Sequence, residues 1–371
     1  MQVICDGLDL CDAVIIVSRA IGTRTTNPIL EGIKLVAEDE TLTLSATDLE
    51  LSIEKKIKAE VKVEGEIVVP GKFFGELVKK LLNQKIELKL DEDNLLTITY
   101  TDSETVIQCF PAYEFPSFKK LDSADFFGMS KKNLKNLINR TTFAVAADDT
   151  RPILKGCLLE VENQKVSMVA LDGSRLALAV QKIKENTLST AVVVPAKSLN
   201  EISKLLDDND DIINIYIQQS FLMVDLKDCI ITTRLIEGEF INYKQIISNE
   251  FDTKITINKK QLEDALERAS LLSRIGQNNL VQFDLKDKNL CITSRSEIGN
   301  IKENIGIVFK GKELVIAFNA RYFMDALKVI QDEFINIKLN SPQNPCVVTP
   351  FEGDEEKYLY LILPMRIMTS L

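Results

Sequence analysis

The sequence predicts an α+β protein made of three similar domains, each with two helices packed on antiparallel sheet. Three observations predict it. The chain repeats itself at a spacing near 124 residues. Every copy carries two stretches with helical apolar spacing, and the residues between them alternate apolar with polar.

Several separate markers share the one offset. TTNPILEGIKL at 25–35 recurs as DTRPILKGCLL at 149–159, which sets Pro28 and Pro152 124 residues apart. LSATDLEL (44–51) matches MVALDGSRL (168–176), with Asp48 and Asp172 again 124 apart, and TSRSEIGNI (293–301) is a more divergent third copy. EIVVPGKFFGELVKKL (66–81) matches TAVVVPAKSLNEISKLL (190–206) and ELVIAFNARYFMDALKVI (313–330). This period is far longer than the 20–50 residues of solenoid repeats, and each copy is the size of a self-sufficient domain. The expected domains are 1–123, 124–250 and 251–371, joined near KKLDSADFF (119–127) and IISNEFDTK (246–254). Both joints are short and poor in Pro and Gly, so they read as taut connections.

The first helix of each copy shows an i, i+3, i+4, i+7 stripe: Leu10, Ala13, Val14 and Val17; Leu134, Leu137 and Ile138; Leu262, Ala265, Leu266 and Ala269. The second shows Phe74, Leu77, Val78 and Leu81; Leu199, Ile202, Leu205 and Leu206; Phe323, Ala326, Leu327 and Ile330. Between them, Leu42-Thr43-Leu44-Ser45 and Ile86-Glu87-Leu88-Lys89-Leu90 alternate as half-buried strands do. Asp91-Glu92-Asp93-Asn94 and Asp172-Gly173 mark turns.

Composition excludes several function classes. The chain has no histidine, which removes Ser-His-Asp and Cys-His nucleophilic chemistry and the commonest metal ligand. Its seven cysteines are scattered and form no CxxC pair, so reduced thiols in the cytoplasm are expected, with no disulfide framework and no metal or other cofactor. No run approaches the ~18 apolar residues of a membrane span, and an N-terminus carrying Asp6, Asp9 and Asp12 does not read as a signal peptide. A carboxylate enzyme built on Asp48, Glu50 and Asp172 stays open on composition alone. The equivalence of the two aspartates in different repeats favours turn formation over one active site.

The formal charge of −10 disfavours generic polyanion binding unless cations gather on one surface. They do gather. The segments 7–20, 71–82, 131–145, 196–206, 259–274 and 320–330 hold 16 Lys and Arg against 8 Asp and Glu, a net +8, which leaves −18 for the remainder. Each second helix carries a basic pair seven residues apart, Lys72/Lys79, Lys197/Lys204 and Arg321/Lys328, on the side opposite its apolar stripe. Lysine is also simply suited to a solvated helix face. The sharper reading is a basic, helix-lined surface that binds phosphates without reading bases.

TTNPILEGIKL, LSATDLEL, RPILKGCLLE, VALDGSRLALA, VVVPAKSL and the terminal YLILPMRI, in this order and over essentially the full length, resemble the beta subunit of bacterial DNA polymerase III, the sliding-clamp family. The resemblance implies a crescent of three domains that is half of a closed ring, a head-to-tail homodimer with helices lining the hole. It further implies a non-catalytic processivity factor that encircles double-stranded DNA without sequence specificity. Its partners would be the replicative DNA polymerase catalytic subunit and, through the same cleft, other polymerases and repair proteins. A separate clamp loader is expected, since no GxxxxGK[ST] occurs here.

The family's peptide-binding cleft carries over to Leu154, Leu171, Gly173, Ser174, Arg175, Leu176, Ile241, Ile246, Asn319, Tyr322, Gln343, Pro345, Leu361, Leu363, Pro364, Met365, Arg366 and Ile367. An apolar groove with a Met wall suits a short extended peptide with spaced Leu or Phe side chains. Taken alone, LDGSRL reads as a plain hairpin turn and YLILPM as a plain edge strand. Ser174 stands where many relatives have His, Ile241 where some have Pro, SPQNPC departs from many relatives, and Met368 to Leu371 extend past the usual family end. DNA contact carries over to Arg24, joined by the six residues of the basic pairs. The ring interface carries over to Ile107 on one side and Leu271 and Leu272 on the other, positions that read equally well as ordinary core.

Overall fold

Each repeat opens with a short strand that feeds straight into a helix. The computed structural model describes residues 1–371 apart from 23–24, 119–124, 149, 185, 187, 249, 276–278, 352–357 and 367–371. The first repeat runs β1 (Gln2–Asp6), α1 (Gly7–Val17), β2 (Gly32–Glu38), β3 (Thr41–Thr47), β4 (Leu51–Val63), β5 (Gly65–Pro70), α2 (Gly71–Val78), β6 (Lys85–Leu90), β7 (Leu95–Tyr100) and β8 (Ser103–Gln108). The second has the same order: β9 (Phe126–Ser130), α3 (Lys131–Asn139), β10 (Gly156–Glu162), β11 (Lys165–Leu171), β12 (Arg175–Lys182), β13 (Thr190–Pro195), α4 (Ala196–Leu205), β14 (Ile212–Gln218), β15 (Phe221–Asp225) and β16 (Cys229–Arg234). The third is β17 (Thr253–Asn258), α5 (Lys259–Ser273), β18 (Leu280–Lys286), β19 (Asn289–Ser296), β20 (Gly299–Gly306), an additional β21 (Val308–Lys310), β22 (Leu314–Asn319), α6 (Ala320–Val329), β23 (Phe334–Leu339), β24 (Cys346–Pro350) and β25 (Tyr358–Ile362).

Local chemistry starts and stops these elements. Asp6 caps α1 by accepting hydrogen bonds from the Leu8 and Asp9 amides, and Asn258 caps α5 by accepting from the Gln261 amide. Leu10, Ala13, Val14 and Val17, and likewise Leu262, Ala265, Leu266 and Ala269, are buried as their spacing predicts. Three helices are shorter than expected. α1 tightens into a 3-10 turn at Ser18–Ala20, where the Ser18 hydroxyl donates back to the Val14 carbonyl. α2 ends at Val78, so Lys79 sits at its C-cap. α3 stops at Asn139, and the Thr141 hydroxyl donates to the Leu137 carbonyl at 2.8 Å. After the PIL motif, Gly32 and Gly156 lie so close to the neighbouring strand that a Cβ would meet Val68 Cγ1 at 2.4 Å and Val193 Cγ1 at 2.6 Å. That close approach explains a glycine in the motif in both repeats.

The chain forms two compact units, residues 1–132, 184–188 and 201–235, and residues 133–183, 189–200 and 236–371. The first holds a 12-stranded sheet with the path β8-β7-β6-β1-β4-β16-β15-β14-β9, to which β2, β3 and β5 attach. The second holds a nine-stranded sheet, β13-β10-β11-β12-β25-β24-β23-β17-β21, and a four-stranded sheet, β20-β19-β18-β22. Every pairing is antiparallel, as the α+β expectation requires. The repeats are stitched the same way twice: β4 pairs with β16, and β12 with β25. The next strand in that series is β20, and the counterpart of β16 and β25 in the first repeat is β8. These two strands lie at sheet edges. In the third repeat, Phe283, Phe318 and Phe323 form a buried aromatic trio with ring centroids 5.0 to 5.4 Å apart. Each such ring stabilises by about 1.5–3 kcal/mol through burial.

Candidate functional site

The residues expected to line a cleft come together in the second unit, where hairpin β11–β12 meets β25 and α6. Leu171 pairs with Leu176 across the hairpin, and Leu176 with Leu361. With Leu154, Tyr243 and Val347 they form one apolar cluster in which Leu154, Leu171, Leu176 and Leu361 are only 2–3% exposed. They therefore make a closely packed floor rather than an open trough. Ile241 packs against the same cluster, while Ile246 is exposed at its rim.

Beside this floor lies an open groove of about 700 Å³, lined by Ile316, Ala317, Pro342, Gln343, Pro364, Met365 and Arg366. The backbone builds it. Leu363 donates its amide to the Ser174 carbonyl at 2.9 Å, and Met365 donates to the Ala317 carbonyl at 2.7 Å on the edge of β22. The equivalent edges of the first two repeats take Phe110 opposite Val68 and Ile236 opposite Val193. There the chain continues, and Phe115 and Phe118, or Phe240 and Tyr243, cover the adjoining apolar residues.

Arg175 differs from its expected role as a peptide contact. Its side chain is 10% exposed and fully engaged. Nε donates to Asp172 at 3.0 Å, Nη1 to Asp325 at 2.7 Å and Nη2 to the Phe143 carbonyl at 2.7 Å. The guanidinium also lies 4.7 Å from the centre of the Tyr322 ring. Arg175 thus braces hairpin β11–β12 against α6. Asn319 is occupied as the N-cap of α6, accepting from the Arg321 amide at 3.0 Å. Gly173 adopts φ +90, which suits glycine at the hairpin tip. Ser174 is half-buried, Leu363 is exposed, and Pro345 lies next to the groove lining without belonging to it. Ile367 is outside the described residues. Tyr243 is anchored by donating to Glu160 at 2.5 Å, and burial together with that carboxylate pushes its phenol up from the ordinary range.

The six paired cations, Lys72, Lys79, Lys197, Lys204, Arg321 and Lys328, are all exposed. Lys204 also meets Glu201 at 2.7 Å, and Arg321 and Lys328 flank Asp325 at 3.9 Å each. Arg24 is outside the described residues. Of the expected interface residues, Leu271 is 61% exposed on α5, Leu272 is half-buried, and Ile107 faces the core at 9%. Its neighbour Val106, 52% exposed, is the outward-facing apolar side chain of β8. Asp48 and Asp172 act as turn formers: each accepts from the two amides that close its hairpin, Glu50 and Leu51, or Ser174 and Arg175.

Residues 1–119 match the N-terminal domain of the DNA polymerase III beta subunit, 128–242 the central domain and 244–366 the C-terminal domain. The chain belongs to the DNA polymerase III beta subunit family. The Beta sliding clamp of Halalkalibacterium halodurans is 36% identical over 364 residues, 94% of this chain and 95% of that one. That of Bacillus subtilis is 35% identical over 370 residues. The crystal structure of the DNA polymerase sliding clamp from Bacillus subtilis aligns over 99% of each chain with a TM-score of 0.96 and 33% identity. A structure from Eubacterium rectale, described as a DNA polymerase III beta subunit, gives 0.94 at 34% identity over 99% of this chain.

Within the beta subunit fold, sequence reasoning missed Asp325 and Phe143, which hold Arg175, and Val347 and Tyr243, which complete the floor. Asp325 sits four residues after Arg321 on α6, a spacing that signals an ion pair along a helix. No sequence signal pairs it with Arg175.

Proposed function

We propose that the chain is a non-catalytic processivity clamp that closes head to tail with a second copy of itself into a ring around duplex DNA. Its domains would span 1–123, 124–250 and 251–371. The observation that carries this reading is the pair of unpartnered edges, β8 and β20, which are the missing halves of a junction the chain makes twice internally. Open edges of this kind invite pairing with another chain, and a heterologous contact that closes after two subunits gives a ring. Continuing the series from Ser52↔Thr232 and Leu176↔Leu361 sets Asn300 opposite Val106 and Lys302 opposite Glu104 in the closing ladder. Glu104, Val106, Asn300 and Lys302 are all exposed, and Leu271 would flank the joint.

Enclosure accounts for binding by an acidic protein. A topological link needs only weak phosphate contacts from the exposed helix cations, so sliding costs little. The cleft beside Met365 would hold an extended peptide of the replicative polymerase, the clamp loader or a repair polymerase, at an effective concentration near millimolar for a short flexible tether. A cytoplasmic location fits this role.

The closing ladder is tested by charge reversal. Glu104→Lys places like charges across both joints and is expected to weaken dimerisation by about tenfold or more. Glu104→Lys with Lys302→Glu restores it. Sedimentation equilibrium reads both. A Glu104→Lys chain that dimerises like the parent contradicts the register.

A further inference from the structure

The apolar floor of the cleft has a counterpart one repeat earlier, with its chemistry inverted. In the second unit, Leu171, Leu176, Leu361 and Val347 make one row across four neighbouring strands. In the first unit the same row reads Thr47, Ser52, Thr232 and Met223. Thr47 and Ser52 precede Leu171 and Leu176 by the repeat spacing of 124 residues. Ser52, Thr232 and Met223 line a groove of about 570 Å³ whose wall includes Phe118. Shape is thus kept while three of four floor residues carry hydroxyls. The Thr47 and Ser52 hydroxyls lie 2.8 Å apart, Thr47 also donates to the Leu51 carbonyl, and it accepts from the Leu49 amide.

We propose that Thr47, Ser52 and Thr232 are specificity-determining residues that deny this first groove to apolar peptides and so leave one docking site per chain. The inference rests on reading the Met365 cleft as the peptide site. A leucine or phenylalanine laid on this floor covers hydroxyls without offering them a hydrogen-bond partner, and it finds no branched side chains to pack against. Each leucine-to-hydroxyl exchange on a hydrophobic floor is worth roughly tenfold or more in affinity, so three together remove measurable binding.

The test is calorimetric titration of the full chain with a synthetic uncharged peptide carrying Leu and Phe two residues apart, plus a photo-crosslinking version. The parent chain is expected to bind one peptide. The variant Thr47→Leu/Ser52→Leu/Thr232→Leu is expected to bind two, the second crosslinking near Phe118. If the added volume prevents folding, Thr47→Val/Ser52→Ala/Thr232→Val removes the hydroxyls without enlarging the floor, and a weaker second event is expected. A folded variant of either kind that still binds one peptide overturns the proposal. A parent chain that binds none overturns the reading of the cleft itself.

Discussion

Arg175 shows how much one residue can be misread from its neighbours in sequence. In LDGSRL it stands among cleft positions, yet its guanidinium is consumed by Asp172, Asp325, the Phe143 carbonyl and the Tyr322 ring. Planar, multidentate bonding of this kind suits Arg and not Lys. Removing one partner of a largely buried ion pair strands the others. Arg175→Ala should therefore lower stability by roughly 3 kcal/mol, and Arg175→Lys should recover only part of it. Urea unfolding midpoints check both. A shift below a few tenths of a kcal/mol for Arg175→Ala would mean the brace carries no stability. The exposed Leu363 and Met365 backbone remain as peptide contacts in either case, so the cleft is built from chain path as much as from side chains.

At the scale of elements, helices were legible and their ends less so. Apolar spacing located all six helices, because a stripe that must face a sheet leaves a 3.6-residue trace. The early ends of α1, α2 and α3 come from hydroxyl back-bonding and 3-10 tightening at Ser18, Lys80 and Thr141, which apolar spacing does not register. The contact between α5 and β20 likewise left no sequence trace: Arg268 reaches Glu303 with two 2.8 Å hydrogen bonds across 35 residues. Those bonds hold the Glu303 carboxyl below its ordinary range. A depressed carboxylate contributes stability above its unfolded value, near pH 4.3 for Glu, and that contribution is lost as pH falls through the lower folded value. Glu303→Gln should therefore lower the urea midpoint at pH 7 by a small amount. The difference from the parent should shrink below pH 4.3 and vanish in stronger acid. A difference that persists unchanged at pH 3 would assign the effect to packing instead.

For the whole molecule, the triplication did most of the predictive work. Markers at one offset announced three copies of one topology, and the sheets then showed a junction made twice inside the chain and left open at β8 and β20. The cleft was legible only through family resemblance, because LDGSRL and YLILPM individually read as a turn and an edge strand, and in the structure they are also that. The leucine floor came through, whereas Tyr243, Val347 and Asp325 did not, since each meets the cleft through pairings far apart in the chain. DNA capture by enclosure makes the most direct demand on the molecule as a whole. The measurement is retention of the chain, loaded by its clamp loader, on nicked circular duplex at a salt concentration that strips ordinary phosphate binding. The account predicts that the chain stays on the circle and is released once the circle is cut to a linear duplex with free ends. Release from the intact circle, or equal retention on circle and linear DNA, would contradict it.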